Sequence, residues 1–100
     1  MHSHQRKLLT IVTEAVLETT LIRDIEKHDV RGYTITDARG KGSRGVRGAG
    51  LETSSNIRIE VVCDAGTASN LAAHLRDHYY EDYAMILFLS DVEVLRPAKF

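Results

Sequence analysis

The chain has 100 residues, 43% of them hydrophobic and 27% charged, with a formal net charge of −1. That length fits one compact domain over residues 1–100, and the apolar content supports a core and argues against wholesale disorder. A near-neutral chain is not a general polyanion binder, and a single cysteine, Cys63, excludes an intramolecular disulfide and a CxxC metal motif.

The first residues, MHSHQRK, are polar, and His2 and His4 are expected to lie in a disordered terminus, where they bind metal only adventitiously. The apolar run behind them is short and broken by Thr10, Thr13 and Glu14, so neither a signal peptide nor a membrane span is expected. LLTIV at 8–12 is partly β-branched and predicts a first strand. Thr13 is a good helix N-cap, and Glu14 in the first turn would favour the helix dipole. Leu17, Leu21 and Ile25 recur every four residues with Ile22 beside them, predicting a helix of about 14 residues that ends near Lys27 and His28. Gly32 punctuates, and YTITD at 33–37 alternates as a second strand.

Then comes ARGKGSRGVRGAG at 38–50, which holds five of the chain's seven glycines and four of its thirteen Lys and Arg residues. IRIEVV at 57–62 alternates as a third strand, and Cys63 behind it is expected to be a half-buried strand cysteine. Ala68, Leu71, Ala72, Leu75 and Tyr79 follow the spacing of a second amphipathic helix. AMILFL at 84–89 is continuously apolar and alternation resumes at Val92, giving one long fourth strand with a bulge, or two short ones. The order β-α-β-β-α-β is the ferredoxin-like α+β arrangement, with both helices on one face of a four-stranded antiparallel sheet. The fourth strand is apolar on both faces and the first nearly so. Oligomerisation is the economical way to cover the second face.

Gly40, Gly42 and Gly45 spell the G-x-G-x-x-G of a dinucleotide fingerprint, and Glu60 stands where an acid would be wanted. The reading fails on the next segment of chain: a helix through Gly45, Gly48 and Gly50 loses about 1 kcal/mol at each interior glycine. No room is left for a crossover before the third strand. The Walker pattern fails as well, because Gly42-Ser43 follows Lys41. The anion chemistry survives both failures. Glycines let several backbone N–H groups face one anion, Lys41 adds a point charge, Arg44 and Arg47 add planar forks, and Ser43 adds a hydroxyl. A hairpin connection spanning about residues 40–55 is long enough to be either functional or merely a flexible basic hairpin, with a function the stronger expectation.

Ile11-Val12-Thr13-Glu14, Gly32-Tyr33-Thr34, Gly40-Lys41-Gly42-Ser43-Arg44, Asp82-Tyr83-Ala84 and Glu93-Val94-Leu95 together resemble PII-like signalling proteins. They are similar to the branch associated with bicarbonate transporters and carboxysomes. The resemblance implies a homotrimer that binds adenine nucleotides (ADP, AMP, ATP or cyclic AMP) in clefts between subunits, with bicarbonate as a further ligand. It also implies that the 40–55 hairpin is a T-loop, reporting to a partner protein such as a bicarbonate transporter or carboxysome component. It implies a cytoplasmic regulator of inorganic-carbon uptake or fixation with no chemistry and no cofactor of its own.

Thr13 and Glu14 would then form one wall of the site, with Gly40, Lys41, Gly42, Ser43, Arg44 and Arg47 around the phosphates. The chain departs from typical PII proteins in several places. No glutamine stands in the 37–40 stretch, so 2-oxoglutarate sensing is not expected, and the loop has no tyrosine to uridylylate. YEDYAM at 80–85 replaces the glycine-rich B-loop, which puts more weight on Lys41, Ser43, Arg44 and Arg47. The ending RPAKF carries no cysteine for redox control.

His74 and His78 have the i, i+4 spacing that holds a metal, yet lack evident further ligands and read better as boundary residues. Tyr79, Tyr80 and Tyr83 read as interface packing, with adenine stacking as the sharper alternative. No nucleophile is paired with a histidine in a recognisable motif, so an enzyme is not expected. The alternative function is an RNA-binding module of the same topology; such sheets need exposed aromatics on their central strands, and IRIEV offers none.

Overall fold

The computed structural model describes residues 2–40 and 55–100. Strand β1 (His4–Glu14) is followed by a 3₁₀ turn (Ala15–Leu17), helix α1 (Glu18–Glu26), β2 (Thr34–Ala38), β3 (Asn56–Cys63), helix α2 (Ala65–Tyr79), β4 (Ile86–Val94) and a short 3₁₀ turn (Pro97–Lys99). The strands form one antiparallel sheet in the order β2-β3-β1-β4. This is the expected α+β, ferredoxin-like arrangement.

Alternation sets the layers. Leu9, Ile11, Ile57, Ile59, Val61 and Cys63 turn to one face, where they are buried against Leu17, Leu21, Ile25, Ala68, Leu71, Leu75 and Tyr79. Burial of that apolar surface is the main force holding both helices to the sheet. Asp64 caps α2: its Oδ1 accepts the Thr67 backbone N–H at 2.8 Å. That bond, first, holds its carboxyl below the usual carboxylate range. The DAGT spelling of this cap stands at 64–67, although the apolar spacing of the helix does not single it out.

Three expectations are corrected. Disorder does not reach His4, because β1 begins there, with His4 paired to Val94, and the preceding Ser3 donates to Glu93 at 3.2 Å. The far end of β4 offers a ladder that no local reading of a polar segment reveals. Thr13 is not a helix N-cap, nor is Glu14 in a first helical turn. Both remain in β1, opposite Ile57 and Asn56, and the helix begins at Glu18 after the 3₁₀ turn, with no side-chain cap at Leu17. Strand pairing has claimed the backbone that a cap would have freed. Of the two readings of the fourth strand, one long strand is right, and it has no bulge: its register against β1 runs unbroken from His4↔Val94 to Val12↔Ile86.

Cys63 is fully buried rather than half-buried. Burial, helped by the neighbouring Asp64 charge, pushes its thiol up to about 11. Since the thiolate is the reactive form, a disulfide-exchange reagent at pH 8 is expected to label Cys63 only when the protein unfolds. Rapid labelling of the native protein would contradict this burial.

The other face of the sheet is open. Leu8, Thr10 and Val12 stand in register with Val62, Glu60 and Arg58 on one side and with Ser90, Phe88 and Ile86 on the other. Ile86 is 53% exposed and Phe88 45%. An apolar stripe therefore runs along β1 and β4, flanked by the Arg58–Glu60 ion pair on β3. The two central strands place no Phe, Tyr or Trp side chain on this face, where single-stranded RNA readers stack bases.

Candidate functional site

One end of the sheet gathers the described part of the candidate site. Ala38, the last residue of β2, pairs with Asn56, the first of β3, and Asn56 pairs with Glu14, the last of β1. The Ala15 N–H donates to the Ser55 carbonyl at 2.9 Å, tying the start of the 3₁₀ turn to the lead into β3. Glu14 reaches the other way: its Oε1 accepts the Ala84 N–H at 3.1 Å, fixing the approach to β4. Three connections thus meet at Glu14. The sequence places the 40–55 hairpin at this same end, between Ala38 and Asn56.

Of the sequence-predicted site residues, Thr13, Glu14 and Gly40 lie among those described; Lys41, Gly42, Ser43, Arg44 and Arg47 lie outside them. Glu14 is half-buried and already engaged. Thr13 faces the core at 2% exposure, and its Oγ1 has no hydrogen-bond partner among the described residues. Gly40 is exposed, has no positive φ, and a Cβ added to it would meet nothing within 4 Å. The described fold would therefore accept a side chain at position 40. Any need for glycine there comes from the neighbouring segment or from close approach of a ligand.

A Thr13→Val variant tests the buried hydroxyl. A buried polar atom without a partner is costly, so the change is expected to raise the unfolding free energy by about 1 kcal/mol in urea denaturation. A loss of stability would mean that Oγ1 bonds a group within 41–54.

The sequence did not point to the backbone donors of Ala84 and Ala15. An N–H carries no residue signature, and Glu14 and Ala84 are 70 positions apart. The other candidates fall as follows. Tyr79 is buried, with ring centroids 6.0 Å from half-buried Tyr83, while Tyr80 is 40% exposed. His74 and His78 lie at the boundary and surface of α2, and among the described residues no three His, Cys, Asp or Glu side chains are placed to hold a metal ion. Among those residues, too, no helix is long and apolar enough to cross a membrane.

The family model described as Nitrogen regulatory protein P-II matches residues 6–99, and the chain belongs to that family. A homotrimer is in keeping with it. A solved structure from Thermus thermophilus, described as a PII-like signalling protein, is 38% identical, with a TM-score of 0.83, covering 100% of this chain and 99% of that one. CPII of Thiomonas intermedia, bound to ADP and bicarbonate, is 26% identical with a TM-score of 0.85, covering 99% and 97% of the two chains. In a second structure the same protein is bound to ADP, AMP and bicarbonate; here the identity is 23% and the TM-score 0.81, over 99% of this chain and 100% of that one.

Proposed function

We propose that this chain is a trimeric PII-like sensor that binds adenine nucleotides in clefts between subunits, with bicarbonate as a co-ligand. Its support is the PII-like relative, 38% identical over the whole chain. The ligands follow from the more distant CPII, bound to ADP and bicarbonate. Glu14 and the Ala84 N–H form the fixed wall, and the basic segment from Gly40 to Arg47 supplies the anion contacts. Lys41 and Arg44 contact phosphate directly, Ser43 donates a hydrogen bond, and Arg47 is a second clamp. Bicarbonate, a small planar oxyanion, suits the same donors.

The 40–55 hairpin acts as the T-loop, and its ligand-dependent form is what a partner in inorganic-carbon uptake or fixation reads. The protein works in the cytoplasm, as a regulator and not as an enzyme. Calorimetry with ADP, AMP, ATP and cyclic AMP, each with and without bicarbonate, tests the reading. Saturable binding of at least one nucleotide at up to one per subunit is expected. Silence across the panel would sink the proposal.

A further inference from the structure

Tyr79, the last residue of α2, is engaged in three directions at once. Its ring is buried in the core and lies beside half-buried Tyr83, with centroids 6.0 Å apart. Its carbonyl accepts the backbone N–H of Asp82 at 3.2 Å and that of Tyr83 at 3.0 Å, which closes the turn that follows the helix. Its hydroxyl donates to the Asp24 carboxylate of α1, 55 positions back in the chain. The N–H after Tyr83 is that of Ala84, the one that Glu14 Oε1 accepts at 3.1 Å.

The tie to α1 is well protected. The Asp24 side chain is only 13% exposed; one oxygen takes the Tyr79 hydroxyl, and the other lies 3.6 Å from His74 Nε2. Burial, and then the bond to Asp24, pushes the Tyr79 hydroxyl up to about 12, so it remains a donor through the neutral range. A buried hydroxyl is costly without a partner, which holds the ring to the one position where its oxygen meets Asp24. The turn itself, Tyr80-Glu81-Asp82-Tyr83, is short and has no glycine to take up slack. A shift at Tyr79 is therefore passed along it to Ala84.

We propose that Tyr79 is a positioning residue for the candidate site and Asp24 its anchor: the hydroxyl pinned to α1 fixes where α2 ends, the carbonyl and ring of the same residue set the turn, and the turn delivers the Ala84 N–H to Glu14. The effect on ligand rests on the sensor reading, in which Glu14 and the Ala84 N–H are the fixed wall. With the tie in place that wall is ordered before ligand arrives. Without it the turn must be ordered during binding, and that ordering is subtracted from the affinity.

The test compares Tyr79→Phe with the wild type. The substitution keeps the buried ring, and its shielding of nearby protons, and removes only the hydroxyl. A proton donated to a carboxylate lies downfield, so the Ala84 amide proton reports the wall directly and without nucleotide. It is expected to move upfield in Tyr79→Phe, towards its position in Glu14→Ala, which lacks the acceptor. Asp24→Ala should move it likewise, whereas Asp24→Asn, which keeps an oxygen for the hydroxyl, should restore most of the wild-type position. In calorimetry Tyr79→Phe is expected to bind ADP about two- to tenfold more weakly, the range that the net worth of one hydrogen bond spans. A role in stability alone would lower the melting temperature and leave the Ala84 resonance of the folded protein where it was, and that result would overturn the proposal. A moved Ala84 resonance with wild-type affinity for ADP would overturn the part that concerns ligand. A wild type that binds no nucleotide sinks the sensor reading instead, and the Ala84 resonance then decides the tie by itself.

Discussion

Phe88→Asp is expected to convert the trimer into monomers in analytical ultracentrifugation at micromolar concentration, with the far-ultraviolet circular dichroism unchanged. Phe88 lies opposite Thr10 on the open face and is 45% exposed in the isolated chain. Covering a phenylalanine contributes about 1.5–3 kcal/mol, and a trimer makes the contact in every subunit. An aspartate in its place reverses the effect twice. The apolar contact is lost, and an unpaired carboxylate must be dehydrated wherever copies meet. The fold survives because the substituted side chain points away from the layer where Leu9, Ile11 and the two helices pack. Nucleotide binding should fall with the assembly, since the proposed clefts lie between subunits. A Phe88→Asp protein that sediments as a trimer would remove the open face from the interface and require another surface for it.

Arg44→Ala is expected to weaken ADP binding by about tenfold to a hundredfold in calorimetry, with no change in melting temperature in the absence of ligand. A hydrogen bond to a charged group contributes about 1.5–3 kcal/mol net, and each 1.4 kcal/mol is a factor of ten. Arg44→Lys separates charge from shape: the lysine keeps the positive charge and loses the planar fork, so it should recover part of the affinity and not all of it. Arg23→Ala, on the exposed side of α1 in the same chain, supplies the comparison and should bind as the wild type does. Equal affinity of the Arg44→Ala and wild-type proteins would move the anion contacts to Lys41 and Arg47.

The parts of the fold that were legible in the sequence are those written in local periodicity. Ile57, Ile59 and Val61 alternate, and Leu71, Leu75 and Tyr79 repeat at helical spacing, so β3 and α2 were placed to within a few residues. The errors cluster on β1, and they share a cause. How far a strand runs depends on what lies beside it. His4 is a strand residue because Val94 is opposite, and Thr13 is one because Ile57 is opposite, facts separated from them by tens of positions in the chain. Local propensity alone made Thr13 an attractive cap.

The candidate site was legible in the same uneven way. Its basic, glycine-rich half announces itself by composition, although of its residues only Gly40 lies among those described. Its fixed half, Glu14 Oε1 on the Ala84 N–H and the Ala15 N–H on the Ser55 carbonyl, is made of contacts to backbone groups that no side-chain pattern spells. The Asp24–His74 contact was hidden for the same reason: half of it belongs to each helix.

The stagger of the partners along β1 carries a consequence for motion. β3 pairs with residues 7–14 and β4 with residues 4–12, so β1 is held from both sides only over residues 7–12. In amide-exchange terms that middle stretch should open only with the whole domain, while the two ends open separately and at lower cost. The Thr13–Glu14 end lacks β4, and the His4 end lacks β3. A ligand can therefore reshape one tip of the central strand on a fast timescale while the slowest-exchanging amides, a few residues away, do not register it.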